Sequence, residues 1–440
     1  MDLLIALFLF LGAMLYCLVR GVELYWALAL GLLLFSAVGL RRGFSLKALG
    51  KMMWSKMPKT MIVLRILFLI GILTGLWRSC GTIAFFICHG VRAISPPFFV
   101  LLAFLLTALL SYALGTSFGV ASTAGVVLMA LARSGGVDPA VAAGAIISGT
   151  YFGDRGAPTS SCASLVAALT ETELYRNVRQ MHRTALLPYA VSLAFFAFLS
   201  FRNPIAAADE SLLDALSGGF SLSVWTLLPA VIMLLLPLLR VPIWIAMCVS
   251  LAAAFGVSVL VQGQGAWETL RVCVLGYAPE GALAEVLTGG GLISMFTVFL
   301  MLPLASMMGG VLEGIGALDG VQTRLAALCG RLGLLPTMAL MSILCSMVLC
   351  NQTIVLIMLQ QTMSRVYREA GASNEEFAMD IANSGVMIAG LVPWCIACAV
   401  PLQMLGVGVE ALPFATLLYA TPICYLLTKR WFYPKKEAKA

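Results

Sequence analysis

The sequence predicts an all-α polytopic membrane protein. It is expected to hold two inverted-topology repeats with broken or re-entrant helices, in about 11–14 membrane segments. Three observations predict this. First, 61% of the 440 residues are hydrophobic and only 11% are charged, against roughly 25% charged in a soluble domain. Second, apolar runs at 3–19, 98–114, 185–200 and 292–308 approach the length needed to cross a hydrocarbon core. Third, landmarks recur along the chain. Gly75-Leu76-Trp77-Arg78-Ser79-Cys80-Gly81 aligns with Gly310-Val311-Leu312-Glu313-Gly314-Ile315-Gly316, and Pro158 with Pro393, at an offset of 235 residues; Gly149 aligns with Gly385 at 236.

In order, residues 1–60 read as an N-terminal helical hairpin, 3–19 and 24–40, followed by a basic loop. The first run lacks the basic leader of a signal peptide and a second run follows almost at once, so it reads as a retained span. The loop at 41–60 carries Arg41, Arg42, Lys47, Lys51, Lys56 and Lys59 without an acid, which places it and the N-terminus in the cytoplasm. A first core repeat occupies 61–170, and Arg176, Arg179 and Arg183 put the next loop inside as well. Linker helices fill 171–290, with Arg202, Asp209, Glu210 and Asp214 in an outer loop, Arg240 at an inner turn and only Arg271 as a base in the outer segment 263–290. A second core repeat covers 291–407, entering from the outside. Residues 408–440 form a last span and a cytoplasmic tail with Lys429, Arg430, Lys435, Lys436 and Lys439. The net charge of +7 is thus concentrated in two segments. That pattern is a topology signal and a contact for anionic lipid, not a nucleic-acid footprint. The bilayer is the expected partner, and a homodimer is allowed.

The stretch from Ser148 to Cys162 is out of place in such a chain. Between apolar runs it holds Asp154, Arg155, several hydroxyls, Gly149, Gly153, Gly156 and Pro158. Lipid-facing helix does not hold free charge, and broken backbone at membrane depth persists only inside protein or beside water. Gly153, Gly156 and Pro158 are expected to break the helix here, and the stretch to form a cavity wall. If the halves correspond, four segments face the cavity. They are Gly115-Thr116-Ser117-Phe118-Gly119 and Ser148–Cys162 in the first half, then Cys350-Asn351-Gln352-Thr353 and Asn383-Ser384-Gly385 with Pro393-Trp394-Cys395 in the second. The candidate ion- or substrate-binding residues are Asp154, Arg155, Thr116, Ser117, Ser148, Thr150, Ser160, Ser161, Asn351, Gln352, Thr353, Asn383 and Ser384. A buried carboxylate takes a proton or a cation in alternation, so Asp154 is the residue expected to bind Na+ or H+, with Arg155 positioning it or holding an anion. The plainer readings are that serine and glycine serve close helix packing and that Asp154 and Arg155 form a charge pair.

Other signals are weaker. Arg65, Arg78 and Arg92 read as snorkelling to an interface, Glu313 as a second intramembrane acid, and Asp380 as a helix cap or interfacial residue. His89 and His182 read as interfacial, and Cys395 and Cys398 as packing residues rather than metal ligands. Gly115-Thr116-Ser117-Phe118-Gly119 also fits G-x-S-x-G, yet no strand precedes it and neither histidine is placed to serve it, so catalysis is not expected.

Ser148-Gly149-Thr150-Tyr151-Phe152-Gly153-Asp154-Arg155 resembles the SGAYFGDK signature of NhaC-type Na+/H+ antiporters. Asn383-Ser384-Gly385 and Leu391-Val392-Pro393-Trp394 are similar to that family's EDSG and LIPWN blocks, in order and spacing. The resemblance covers about 61–425. It implies an ion transporter of inverted repeats that exchanges Na+ for H+, some members coupling ions to organic anions or amino acids. Arg155 stands where the family has lysine, Ser161 where it has a second aspartate, and Ala382-Asn383 where it has two acids. The expectation is a secondary active transporter of the cytoplasmic membrane, a Na+/H+ antiporter, or alternatively a carrier of a small organic anion or amino acid. No cofactor beyond the coupling ion is expected.

Overall fold

The computed structural model of the chain describes residues 2–55, 57–93, 96–204, 210–239, 241–316 and 328–433. Lys56, Asp209, Arg240, Lys435, Lys436 and Lys439, used above for topology, lie outside them, as do the side chains of Lys59, Arg92 and Glu210.

The described residues fold almost wholly as helices, with one isolated β-bridge between Tyr277 and Gly289. Five helices are long and apolar enough to cross a membrane: Asp2–Arg20, Leu24–Arg41, Ser117–Ser134, Leu174–Arg202 and Leu292–Gly314. Leu64–Ser79 and Thr82–His89 make a further pair, bent by 59°. Shorter apolar helices, Phe99–Leu114, Leu334–Leu349 and Ile396–Leu405 among them, flank the breaks in the chain. The protein is an integral membrane protein.

The N-terminal hairpin closes through Phe10 edge-on against Phe35 and leans on Met308 at Gly31. The basic segment after it is not merely a loop. It contains the helix Leu46–Ser55, whose Met52 lies so close to Gly310 that a Cβ there would sit 2.3 Å from the Met52 carbonyl oxygen. Glu313 is exposed near the end of helix Phe296–Gly314 rather than buried.

The polar stretch departs from expectation in an instructive way. Helix Pro139–Gly156 starts at Asp138, whose carboxylate caps the Ala140 N–H, with Pro139 in the first turn, a favoured start. It then runs unbroken through Gly149 and Gly153 to Gly156, and the break is confined to 157–160 around Pro158. Gly149 and Gly153 face helix Phe99–Leu114 instead. A Cβ would stand 2.0 Å from Thr107 Oγ1 at the first and 2.0 Å from the Ser111 carbonyl carbon at the second. Each glycine costs roughly 0.5–1 kcal/mol relative to alanine in a helix, offset here by contact of two backbones, with the Ser111 hydroxyl donating to the Thr150 carbonyl. The packing reading therefore holds for these two glycines. In the second half, Asn383-Ser384-Gly385 is likewise no break but part of a π-helical turn, Ile381–Val386. The break follows it, at 390–395 around Pro393.

Element boundaries repeat at the offset of 235 residues. Phe99–Leu114 is matched by Leu334–Leu349, Ser117–Ser134 by Gln352–Glu369, and Ser161–Thr170 by Ile396–Leu405. Caps match too: Gly115 and Cys350 are left-handed, at φ +71 and +54, and each is followed by an extended N-cap, Thr116 or Asn351. The helix cap Glu171 and its counterpart Gly406 are also left-handed. The offset of 236 at Gly149 and Gly385 falls on the π turn, a local one-residue expansion of the helix.

Candidate functional site

Within each half the two breaks touch. Gly115 abuts the second break closely enough that a Cβ would lie 2.5 Å from the Thr159 carbonyl carbon. In the other half the Cys350 carbonyl accepts from the Ile396 N–H at 2.8 Å, and Trp394 Nε1 donates to the Met347 carbonyl at 2.8 Å. Positive φ at Gly115 is needed for the sharp turn from one helix into the next; Cys350 adopts the same conformation despite its side chain.

Asp154 lies in the last turn of Pro139–Gly156 and is 5% exposed. Its carboxylate is held by neutral partners. Cys162 Sγ donates to Oδ2 at 3.6 Å, and the backbone N–H and hydroxyl of Ser117 lie alongside. The Asp154 carbonyl accepts from the Ser160 hydroxyl, which in turn caps the Cys162 and Ala163 N–H groups. Cys162 Sγ also lies 3.5 Å from Gln352 Oε1, and Gln352 Nε2 donates to the Val386 carbonyl at 3.0 Å. Asp154 is thus joined to the first turns of three helices, beginning at Ser117, Ser161 and Gln352. Helix N-termini carry partial positive charge, roughly half an elementary charge each, and that field lets a carboxylate remain buried without a basic partner.

Arg155 does not form the charge pair with its neighbour. One guanidinium nitrogen, Nη2, donates to Asn383 Oδ1 at 2.5 Å, Thr184 Oγ1 at 2.9 Å and the Met181 carbonyl at 2.9 Å. Its Nε is buried with no hydrogen-bond partner. Asn383 Nδ2 reaches Thr184 Oγ1 at 3.5 Å, so Arg155 ties the first half to the π turn of the second and to helix Leu174–Arg202. Tyr151 adds a tie, donating to the Ala397 carbonyl at 2.6 Å.

The other candidates divide. Thr116 and Asn351 cap the helices that follow them, accepting from the N–H of Gly119 and Ile354. Ser160 ends the first-half break, and Ser161, Gln352 and Thr353 open the helices that follow the breaks, Ser161 and Thr353 exposed. Ser148, Thr150 and Ser384 hydrogen-bond to groups other than the Asp154 carboxylate. Ser148 accepts from the Leu417 N–H at 3.4 Å, Thr150 donates to the Ile147 carbonyl at 2.8 Å, and Ser384 donates to the Asp380 carbonyl at 2.5 Å. Cys395 and Cys398 are buried free thiols. Among the described residues no group of three or more His, Cys, Asp or Glu is positioned for a metal ion.

Sequence reasoning missed two things. Cys162 and Thr184 were not singled out, because cysteine is unremarkable in apolar helix and Thr184 falls in a linker segment. Asp380 is fully buried and accepts from Tyr367 at 2.5 Å, Tyr425 at 3.0 Å and Lys429 at 2.5 Å, with Glu376 also 2.7 Å from Lys429. Its side chain makes no cap hydrogen bond, and Lys429 belongs to a largely buried ion pair rather than to an exposed tail. The available signal was an intramembrane acid with no stated counter-ion.

Long apolar helices, paired helix breaks and a buried carboxylate at their junction define a membrane carrier. The Na+/H+ antiporter family profile matches residues 149–429. The chain is 28% identical over 373 residues to the Na+/H+ antiporter NhaC of Alkalihalophilus pseudofirmus, covering 82% of this chain and 80% of that one. It is 25% identical over 417 residues to the malate-2H+/Na+-lactate antiporter of Bacillus subtilis, covering 92% and 89%. It is 27% identical over 374 residues to the arginine/ornithine antiporter of Halobacterium salinarum, covering 82% and 77%. The chain belongs to the Na+/H+ antiporter family and is a secondary active transporter, an antiporter embedded in the membrane.

Proposed function

We propose that Asp154 is the exchange group: its carboxylate binds Na+ in one step and H+ in the other, and never both. The observation that carries this reading is a buried carboxylate whose neighbouring arginine is engaged elsewhere, leaving oxygen lone pairs open. Burial disfavours the bare anion, so it is satisfied either by protonation or by a cation, and competition between the two couples opposite fluxes. Hydroxyls of Ser117, Thr116, Thr353 and Ser161, with carbonyls freed at the breaks, complete the cation's shell. Exposed Thr159, Ser161 and Thr353 support an aqueous approach from this side.

The repeated boundaries support an internal duplication, and the charge bias of the loops supports opposite entry of the two halves, an inverted repeat. In this reading residues 61–170 and 291–407 rock against each other around Asp154, the ties from Arg155 and Gln352 being remade in each state. Both termini lie in the cytoplasm.

A second reading rests on Arg155. Its Nε is unpartnered and an amide, Asn383, stands where relatives of the resembling family carry acid, so an organic substrate's carboxylate is accommodated here. Relatives named for malate, lactate and arginine support this arm.

The test is exchange in proteoliposomes. Na+, K+ and organic-anion gradients are imposed in turn while internal pH is followed, for the natural chain and Asp154→Asn. Na+-driven proton movement abolished by Asp154→Asn is expected. Normal exchange by that variant sinks the assignment, and movement driven only by organic anions selects the second reading.

A further inference from the structure

A polar cavity lies away from Asp154, along the far half of helix Ser117–Ser134. Its lining on that helix runs from Val126 to Arg133, about 14–24 Å beyond Ser117 at roughly 1.5 Å per residue. The cavity has a volume of about 200 Å³ and is lined by Thr74, Arg78, Arg133, Gly289, Ser294 and Gln403, among others, none of them acidic. Arg78 comes from the last turn of Met57–Ser79. Its Nη1 donates to the Thr74 carbonyl at 3.0 Å, and its Nε is buried without a partner. Arg133 comes from the last turn of Ser117–Ser134, and its Nη2 donates to the carbonyls of Leu405 and Gly406 at 3.0 and 2.8 Å. Gly289, at φ +125, lets the turn lie over the Arg78 guanidinium, 3.9 Å from where a Cβ would stand.

Among the described residues the ion pairs of this protein involve neither arginine. Helix C-termini favour each cation separately, but two guanidiniums sharing one small cavity without an acid repel each other. Snorkelling, the reading from sequence, explains a single arginine and not two converging from different helices. Among the described residues no acid lines the cavity or pairs with either arginine, so an anion from outside the chain would neutralise them. A guanidinium presents paired donors that match the oxygens of a carboxylate or phosphate.

We propose that Arg78 and Arg133 form a binding site for one oxyanion group, a phosphate or carboxylate, distinct from the exchange site. The site is built from both halves: Arg133 reaches from a first-half helix to the end of Ile396–Leu405, and Ser294 and Gln403 come from the second half. An anion bound here holds these elements together in the arrangement described, so it stabilises one carrier state. The oxyanion comes either from solution or from an anionic lipid headgroup.

The experiment is thermal unfolding of the full purified chain at constant ionic strength. The natural protein is compared with Arg78→Gln/Arg133→Gln, titrated with inorganic phosphate or acetate against chloride in neutral-lipid nanodiscs, and separately in nanodiscs containing phosphatidylglycerol. A saturable rise in Tm with phosphate or acetate, lost in the double variant, supports a soluble oxyanion. A rise only with phosphatidylglycerol, again lost in the variant, supports a headgroup. Equal responses of both proteins, or no response to any of the three, overturns the site. If the glutamine variant does not fold, Arg78→Lys/Arg133→Lys replaces it. Loss of paired donors then weakens apparent affinity by about tenfold or more if the site is real, and leaves it unchanged if it is not.

Discussion

Asp154 and Asp380 are both buried, 5% and 0% exposed, yet their surroundings are opposite. Asp380 is saturated: Lys429 supplies a full counter-charge and the hydroxyls of Tyr367 and Tyr425 occupy further lone pairs. Asp154 has a thiol at 3.6 Å, the backbone N–H and hydroxyl of Ser117 and, among the described residues, no ion-pair partner. A carboxylate satisfied by its own chain has no capacity left for cargo and serves architecture. In the proposed reading, the one with only neutral partners at a helix crossing serves exchange. Lys429 and Tyr425 lie on the last helix, Thr416–Phe432, so the Asp380 cluster fastens that helix to the second half, while the Asp154 cluster stays free to rearrange.

The contrast breaks most directly at Asp154. Asp154→Asn should abolish exchange in proteoliposomes while leaving Tm close to that of the natural protein, because no strong partner loses its mate. A large fall in Tm would mean that Asp154 is structural after all. The reverse pattern belongs to Asp380. Asp380→Asn leaves the Lys429 ammonium and the Glu376 carboxylate without their third charge. Breaking a buried pair from one side costs about 3–5 kcal/mol, so unfolding in denaturant should shift by that order, and adding Lys429→Met should recover most of it. Failure of the double variant to recover would show the cluster to be more than a local pair. Tyr425→Phe removes one hydrogen bond to a charged acceptor and should cost about 1.5–3 kcal/mol in the same assay, with exchange per folded molecule unchanged. The smallest effect is expected at Cys162→Ala. The thiol is a weak donor, so the half-saturating Na+ concentration should move by less than about tenfold, the equivalent of 1.4 kcal/mol; a complete loss of exchange would make Cys162 a principal ligand.

Much of this was legible in the chain. Hydrophobic runs gave the helices, and glycine or proline located the breaks at Gly115 and Pro158 because no partner is needed for those residues to disfavour helix. The offset of 235 residues, read from a few weak identities, returns in helix boundaries and caps. Gly153 was misread as a helix breaker. Glycine weakens a helix by only about 1 kcal/mol, and contact with Phe99–Leu114 outweighs that. Asp380 was undervalued because its counter-ion lies 49 residues away in a segment that reads as tail.

What the sequence determined by itself was the solvent and the inventory: a chain too apolar for water, with one acid inside a polar island and basic residues collected in two segments. Those follow from transfer free energies, which each residue carries wherever it sits. Tertiary structure alone decided which buried charge is neutralised. Arg155 lies next to Asp154 in the chain but hydrogen-bonds Asn383, 228 residues on, and Lys429 folds back onto Asp380. Charge pairing depends on distance and direction in space, and in a helical bundle those are set by how remote segments cross.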